Sequence, residues 1–314
     1  MALEIKGLEV AFDRPVLQGI ELTWKKGAVV GVVGASGGGK SSLMKVIAGL
    51  LDANAGEVRW NRKRVKGPSE KLIPGHEQIQ LVNQDFQLDL YHSVRENIRQ
   101  KMLYLPVDIR ESFIFELLEL VDLEEQSEQQ ALTLSGGEQQ RLAIARALAT
   151  EPEVILLDEP FSHLDAHLKQ RIGDYLRLLV KRRKMLCVLV SHEGQDVLEW
   201  CDEIVFLDKG KVKRTGTPID FYYKPESAYE ARFFGEINSL GPKRSPILFR
   251  PNQFEINPTG TWEGVVVNSR FAGSYWRNRV CVKKNEYLVL FSQEPLSKEI
   301  RFDIKRKDTE TQVG

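Results

Sequence analysis

The sequence predicts an α/β protein, with a largely parallel sheet flanked by helices and a small all-β domain after it. Three observations lead there. Ala28-Val29-Val30-Gly31-Val32-Val33, Val154-Ile155-Leu156-Leu157 and Leu186-Cys187-Val188-Leu189-Val190 are continuous apolar runs, the mark of strands buried on both faces. Helical patterns separate them, notably Ser112 to Leu123 and Glu138 to Ala149, and such alternation builds an α/β core. Near Asn238 the composition changes: Pro242, Pro246, Pro251 and Pro258 break any helix, and short β-rich runs follow at Val265-Val266-Val267, Val280-Cys281-Val282 and Tyr287 to Phe291.

The elements follow in chain order. Leu3 to Trp24 alternates apolar and polar residues, giving strands around a turn at Asp13-Arg14-Pro15. The run Ala28 to Val33 feeds a glycine-rich stretch, and an apolar helical segment, Ser42 to Leu50, leaves it. Leu88 to Leu134 is helical in pattern without a strong strand, so it is expected as a helical insertion. The basic run Lys181-Arg182-Arg183-Lys184 is the solvated end of a helix. Ile204 to Leu207 and Lys211 to Arg214 flank Asp208-Lys209-Gly210 as a hairpin. The polar tail, Lys305 to Gly314, is expected to fray.

The bulk numbers narrow the function. The chain has 314 residues, enough for two domains. With 44 Lys plus Arg against 44 Asp plus Glu it lacks the basic balance of a nucleic-acid protein, so no nucleic-acid partner is expected. No stretch approaches the ~18 to 20 apolar residues of a membrane span. Met1 to Lys6 lacks the pattern of a secretory signal. Cys187, Cys201 and Cys281 are scattered and odd in number, as small core residues in a reducing compartment would be.

Gly34-Ala35-Ser36-Gly37-Gly38-Gly39-Lys40-Ser41, followed by Ser42, fits the phosphate-binding loop between strand and helix. Its glycines let backbone N–H groups face phosphate oxygens, and the helix adds its positive end. Lys40 is expected to reach the β- and γ-phosphates, and Ser41 to ligate Mg²⁺. Val154 to Leu157 delivers Asp158 and Glu159 at the sheet edge where open α/β sheets bind ligands. Asp158 would support Mg²⁺, and Glu159 would polarise the attacking water. Leu134-Ser135-Gly136-Gly137-Glu138 precedes a helix with an apolar face of Leu142, Ala145 and Leu148. Ser135, Gly136 and Gly137 thus form a second helix-N-terminal anion site.

On these motifs the chain resembles an ATP-binding cassette (ABC) ATPase, a P-loop NTPase with a mixed sheet core and a helical subdomain. The resemblance covers about the first 235 residues in order and spacing. It implies ATP and Mg²⁺ as cofactors. Phe12 stands where the family stacks an aromatic on adenine, and Gln84 matches the glutamine loop that contacts Mg²⁺. Leu134 to Glu138 matches the signature, which closes in trans on ATP held by a partner copy. Asp165 matches the D-loop, where His163 stands in place of the commoner alanine, and His192 matches the switch histidine that touches the γ-phosphate. The catalytic set implied is Glu159, His192 and Lys40.

Beyond the cassette, Gly216-Thr217-Pro218, Phe221 to Pro225 and Phe233 to Asn238 resemble the join found in importers of sugars, polyamines, ferric iron and oxyanions. Leu248-Phe249-Arg250-Pro251, Trp262 to Val266 and Phe271-Ala272-Gly273 resemble their small β-barrel (TOBE) domain, with Asn252 in place of the usual glutamate. The implied division is a cassette over 1–237, with its helical subdomain at about 88–134, and a TOBE-like domain over 238–314. The implied function is the ATP-hydrolysing subunit of an importer, peripheral on the cytoplasmic face of the membrane. It would work as a head-to-tail homodimer with integral membrane permease subunits, which an extracytoplasmic solute-binding protein would supply. The helical subdomain would receive the permease. Ferric iron and polyamine are the favoured solutes. The alternative is a soluble ABC-type regulatory ATPase without a membrane partner.

Overall fold

The computed structural model describes residues 2–83, 85–162, 164–242, 246–283 and 286–305. Contacts divide the chain into two compact units, residues 1–218 and 219–314. The first opens with β1 (Ala2–Ala11), β2 (Pro15–Lys25), β3 (Val29–Val33) and α1 (Lys40–Ile47). It continues with β4 (Ala55–Trp60), β5 (Lys63–Arg64), β6 (Ile79–Val82), α2 (Val94–Arg99), α3 (Val107–Val121) and α4 (Gly136–Leu148). Then come β7 (Val154–Asp158), α5 (Ala166–Arg183), β8 (Leu186–Val190), α6 (Gly194–Trp200), β9 (Glu203–Asp208) and β10 (Lys211–Gly216).

The three apolar runs are the central strands β3, β7 and β8, and every residue in them is buried. Their sheet has the order β10-β9-β3-β8-β7-β6, parallel except for the β10 edge. This order brings the carboxyl ends of β3, β7 and β8 side by side. A second, antiparallel sheet, β2-β1-β4-β5, covers it. Between them lie Leu3, Ile5, Trp24 and Trp60 from one sheet, Val30, Val32, Leu156 and Val188 from the other, and Leu43, Met44 and Ile47 of α1. Full burial of such side chains contributes about 1.5–3 kcal/mol each. Truncating Leu43 to alanine would cost about 2–5 kcal/mol and loosen the helix that leaves the phosphate loop.

The helical insertion between β6 and α4 consists of α2 and α3 with short 3₁₀ turns. Helix α3 begins at Val107, five residues before the expected Ser112. Its first turn exposes Val107 and Ile109, so the apolar periodicity starts only where Ile114, Leu117 and Leu118 turn inward. The basic run closes α5: Lys181, Arg182 and Arg183 fill its last turn and Lys184 terminates it with φ +55°. Cations there complement the negative end of the helix. Among the described residues, no helix is long and apolar enough to cross a membrane. All three cysteines are free, and burial pushes the Cys187 thiol up to about 12.

The second unit holds two short helices, α7 (Pro218–Tyr223, starting at the division) and α8 (Ala228–Phe233). Its strands are β11 (Asn238–Leu240), β12 (Ile247–Phe249), β13 (Phe254–Ile256), β14 (Trp262–Phe271), β15 (Trp276–Lys283), β16 (Glu286–Ser292) and β17 (Glu299–Ile304). Strands β11 and β12 pair with each other, and the other five form an antiparallel sheet in the order β13-β17-β14-β15-β16. Phe249, Val280, Leu290 and Phe302 are in its core. Arg250 is buried, stacks 4.3 Å from the Tyr222 ring and donates to the carbonyls of Tyr222, Ala231 and Gly235 at 2.9–3.1 Å. Those bonds tie α7 and α8 to the strands. Of the tail Lys305 to Gly314 that was expected to fray, Lys305 is held, its N–H donating to the Gln253 carbonyl at 3.1 Å, and residues 306–314 lie outside the described residues.

Candidate functional site

The phosphate loop is shaped by contacts that only glycine permits. Gly34 leaves β3 with φ +149°, and a Cβ there would sit 1.8 Å from the Leu207 carbonyl oxygen. Gly39 starts α1 with φ +96°, where a Cβ would press on Leu17 and on the Val16 carbonyl. The loop curls so tightly that Lys40 folds over it. Its Nζ donates to the carbonyls of Gly34 and Ala35, both at 2.9 Å. Lys40 is buried, and burial lowers its pKa while Asp158 and Glu159 pull it back up.

Strand β7 sets two carboxylates opposite this loop. Asp158 is buried at the strand's end and accepts a hydrogen bond from the Ser41 side chain. Burial raises its pKa, Glu159 adds to the rise, and Ser41 and Lys40 oppose it. The pair Ser41–Asp158 presents a hydroxyl and a carboxylate, hard oxygen donors that suit Mg²⁺, an ion that takes its remaining ligands from phosphates and water. An under-compensated carboxylate is what such a cation would relieve. Gln84, the further ligand that the resemblance implied, lies outside the described residues.

Glu159 takes a left-handed backbone, φ +55°, which is unusual for a residue with a Cβ. Each of its polar groups is held. Its N–H donates to the Val190 carbonyl at 2.9 Å. Its carbonyl accepts from the Gln140 Nε2 at 2.7 Å and from the Ser162 hydroxyl at 3.0 Å. Its Oε1 lies 3.3 Å from the Nδ1 of His192, whose side chain is half exposed. The segment carrying His192 is anchored in turn: the Ser191 hydroxyl donates to Asp196 at 3.0 Å and accepts from the Glu193 N–H, and Lys169 of α5 pairs with Asp196.

The Leu134 to Glu138 segment starts α4. Ser135 is its N-cap and forms a capping box with Glu138. The Glu138 carboxylate accepts from the Ser135 N–H at 2.8 Å and from its hydroxyl at 2.7 Å, which lowers the Glu138 pKa. Leu134 is buried, Ser135 and Gly136 are exposed, and Gly137 is half-buried. Asp165 is the N-cap of α5, accepting from Leu168 N–H at 3.0 Å. Phe12, just past the end of β1, is 64% exposed, so it is no core residue.

The structure thus brings Gly34, Ala35, Lys40, Ser41, Asp158, Glu159 and His192 into one contact network. Ser135, Glu138 and Asp165 join it through no hydrogen bond or ion pair of their own among the described residues. His163 lies outside the described residues. Sequence reasoning gave no role to Gln140, Ser162 or Ser191, which stand in or beside its motifs, and missed Lys169 and Asp196. Gln140 had a signal: it is the polar member of the stripe it shares with the buried Ile144 and Leu148, where an apolar residue is the default.

A family model described as ABC transporter matches residues 17–162. The chain is 32% identical over 317 residues to the spermidine/putrescine import ATP-binding protein PotA of Clostridium novyi, covering 91% of this chain and 90% of that protein. It is 33% identical over 275 residues to the sulfate/thiosulfate import ATP-binding protein CysA of Photorhabdus laumondii, covering 85% and 75%. Among solved structures it is similar to the dimeric, post-hydrolysis ATP-binding cassette MJ0796 bound to ADP and Pi. That likeness has a TM-score of 0.62 at 27% identity and covers 69% of this chain and 98% of the other.

Proposed function

Because the chain belongs to the ABC transporter family of ATP-binding proteins, we propose that it is the ATP-hydrolysing subunit of an importer, acting through residues of the network around β7. The observation that carries this is the meeting of Glu159 and His192 at 3.3 Å beside the phosphate loop. A carboxylate so placed can accept a proton from water attacking the γ-phosphate, while the imidazole bonds a γ-oxygen. Lys40 would exchange its loop carbonyls for the β- and γ-phosphate oxygens. Backbone N–H groups of Gly37 to Ser41 would cradle the phosphates, and Phe12 would stack on adenine. Mg²⁺, held by Ser41, Asp158 and Gln84, would neutralise charge on the transferring phosphoryl group.

The Ser135 to Gly137 amides are the second anion site. They would complete the nucleotide site of a partner copy in a head-to-tail dimer, with Asp165 lining the same junction. The dimeric state of the similar cassette MJ0796 supports this reading. The exposed Leu103, Tyr104, Val107 and Phe115 of the helical insertion (about 88–134) support docking to a permease there. We place the cassette at 1–237 and a TOBE-like β domain at 238–314, on the cytoplasmic face of the membrane, with an extracytoplasmic solute-binding protein upstream. Spermidine/putrescine and sulfate/thiosulfate import relatives alike cover the chain nearly end to end, so a polyamine or an oxyanion is proposed as the solute ahead of ferric iron. The test is ATP hydrolysis by the purified chain. Turnover that requires Mg²⁺ and is lost in Glu159→Gln is expected; a wild-type chain that binds ATP without hydrolysing it would overturn the reading.

A further inference from the structure

We infer that Gln140 is a positioning residue for Glu159, linking the helix that begins with the signature to the catalytic carboxylate of the same chain. This rests on the reading of Glu159 as the group that activates water. Gln140 is buried. Its Nε2 donates to the Glu159 carbonyl at 2.7 Å, a contact that fixes the amide's orientation, since its oxygen would repel another carbonyl. The amide oxygen finds no partner among the described residues.

Burying an amide removes its two polar atoms from water, a cost that an apolar side chain of the same shape avoids. What the amide supplies is direction. Glu159 sits in a left-handed conformation with φ +55°, which persists only when neighbours over-determine it. Among the described residues, two side chains hold its carbonyl: Gln140, and Ser162 on the loop just after β7. Ser162 belongs to Glu159's own loop, whereas Gln140 comes from another element, α4.

Helix α4 starts at Gly136, so Gln140 lies about 6 Å along the axis from the signature amides at 1.5 Å per residue. A phosphate seated on those amides presses on a helix whose next inward turn grips Glu159. In a head-to-tail pair, the ATP bound by the partner would act through α4 and Gln140 on the carboxylate that serves this chain's own ATP. One amide would then connect the two composite sites.

The test compares wild type, Gln140→Met and Gln140→His as purified full-length chains. Methionine keeps the shape and removes the donor, while histidine keeps a ring N–H at similar reach. Thermal melting, ATP affinity and steady-state hydrolysis are measured together. Gln140→Met is expected to bind ATP and melt like wild type while kcat and kcat/KM fall together by about tenfold or more, the pattern of lost transition-state stabilisation with substrate binding intact. Gln140→His is expected to recover part of the loss, and the Gln140→Met loss to shrink in single-turnover reactions of the Glu159→Gln chain. Wild-type kcat in Gln140→Met, or losses in both variants that track melting temperature, overturns the inference. A wild-type chain without hydrolysis overturns the underlying reading, and this inference with it.

Discussion

The Nδ1 of His192 lies 3.3 Å from the Oε1 of Glu159, although the two residues follow different strands. Their meeting follows from strand order: β7 and β8 are parallel neighbours, with Asp158 paired to Val190. Each strand ends in a loop carrying one of the two groups. A histidine beside a carboxylate, next to a phosphate loop, is what the proposed hydrolysis would need for moving a proton at a phosphorus centre.

Glu159→Gln should keep ATP binding and reduce kcat by about 10²–10⁴, the usual contribution of a positioned general base. The backbone bonds to Val190, Gln140 and Ser162 remain in this variant, so its melting temperature should match wild type. Hydrolysis and nucleotide titration check both statements. A variant that turns over at the wild-type rate would remove Glu159 from the chemistry.

Lys40→Ala should largely abolish ATP binding. The ammonium also holds the carbonyls of Gly34 and Ala35, so the empty loop should gain mobility. Fluorescent-nucleotide titration measures the first effect, and amide exchange over 34–41 measures the second. Unchanged affinity would contradict the role given to this residue.

Ser135→Arg and Gly136→Asp should both stop hydrolysis while ATP binding persists. Ser135 caps α4, and losing a cap costs about 0.5–2 kcal/mol, so Ser135→Arg should also melt earlier. A Cβ at Gly136 would meet nothing within 4 Å, so Gly136→Asp should fold normally and place a carboxylate where the partner's phosphate is to bind. Full activity in Gly136→Asp would exclude a role in trans.

Asp158 makes a prediction about pH. Burial raises its carboxyl above the ordinary 3.8, so the folded chain holds that proton more tightly than the unfolded chain. Its contribution is most favourable in acid and diminishes as pH rises from about 3.8 through the raised value. Asp158→Asn should therefore gain stability relative to wild type over that window while losing Mg²⁺-dependent hydrolysis. Urea midpoints from pH 4 to 7 test the sign; a wild-type advantage that grows with pH would refute it.

The legible parts of the fold were those with a physical period or an unusual composition. The runs at β3, β7 and β8 were visible because parallel central strands are apolar on both faces. The phosphate loop was visible because its glycines are forced by close backbone approach. Strand β4 was not: Ala55-Gly56-Glu57-Val58-Arg59-Trp60 pairs along β1, and only Val58 and Trp60 are buried. The single β-strands after Asn238 were read in part, because β11, β12 and β13 have three residues each and offer no period. In the site, motifs named the residues that would touch nucleotide. They gave Gln140 and Asp196 no role, because the partners of both are brought near only by packing of α4 against the end of β7 and of α5 against α6.

The proposal that two copies share each site is tested most directly by ATP hydrolysis per chain across a wide dilution series of the purified protein. A rate per chain that rises with concentration and levels off at high concentration is predicted, with ATP-dependent dimers of Glu159→Gln in size-exclusion chromatography over the same range. A rate per chain independent of concentration, from a protein that stays monomeric with ATP bound, would contradict it.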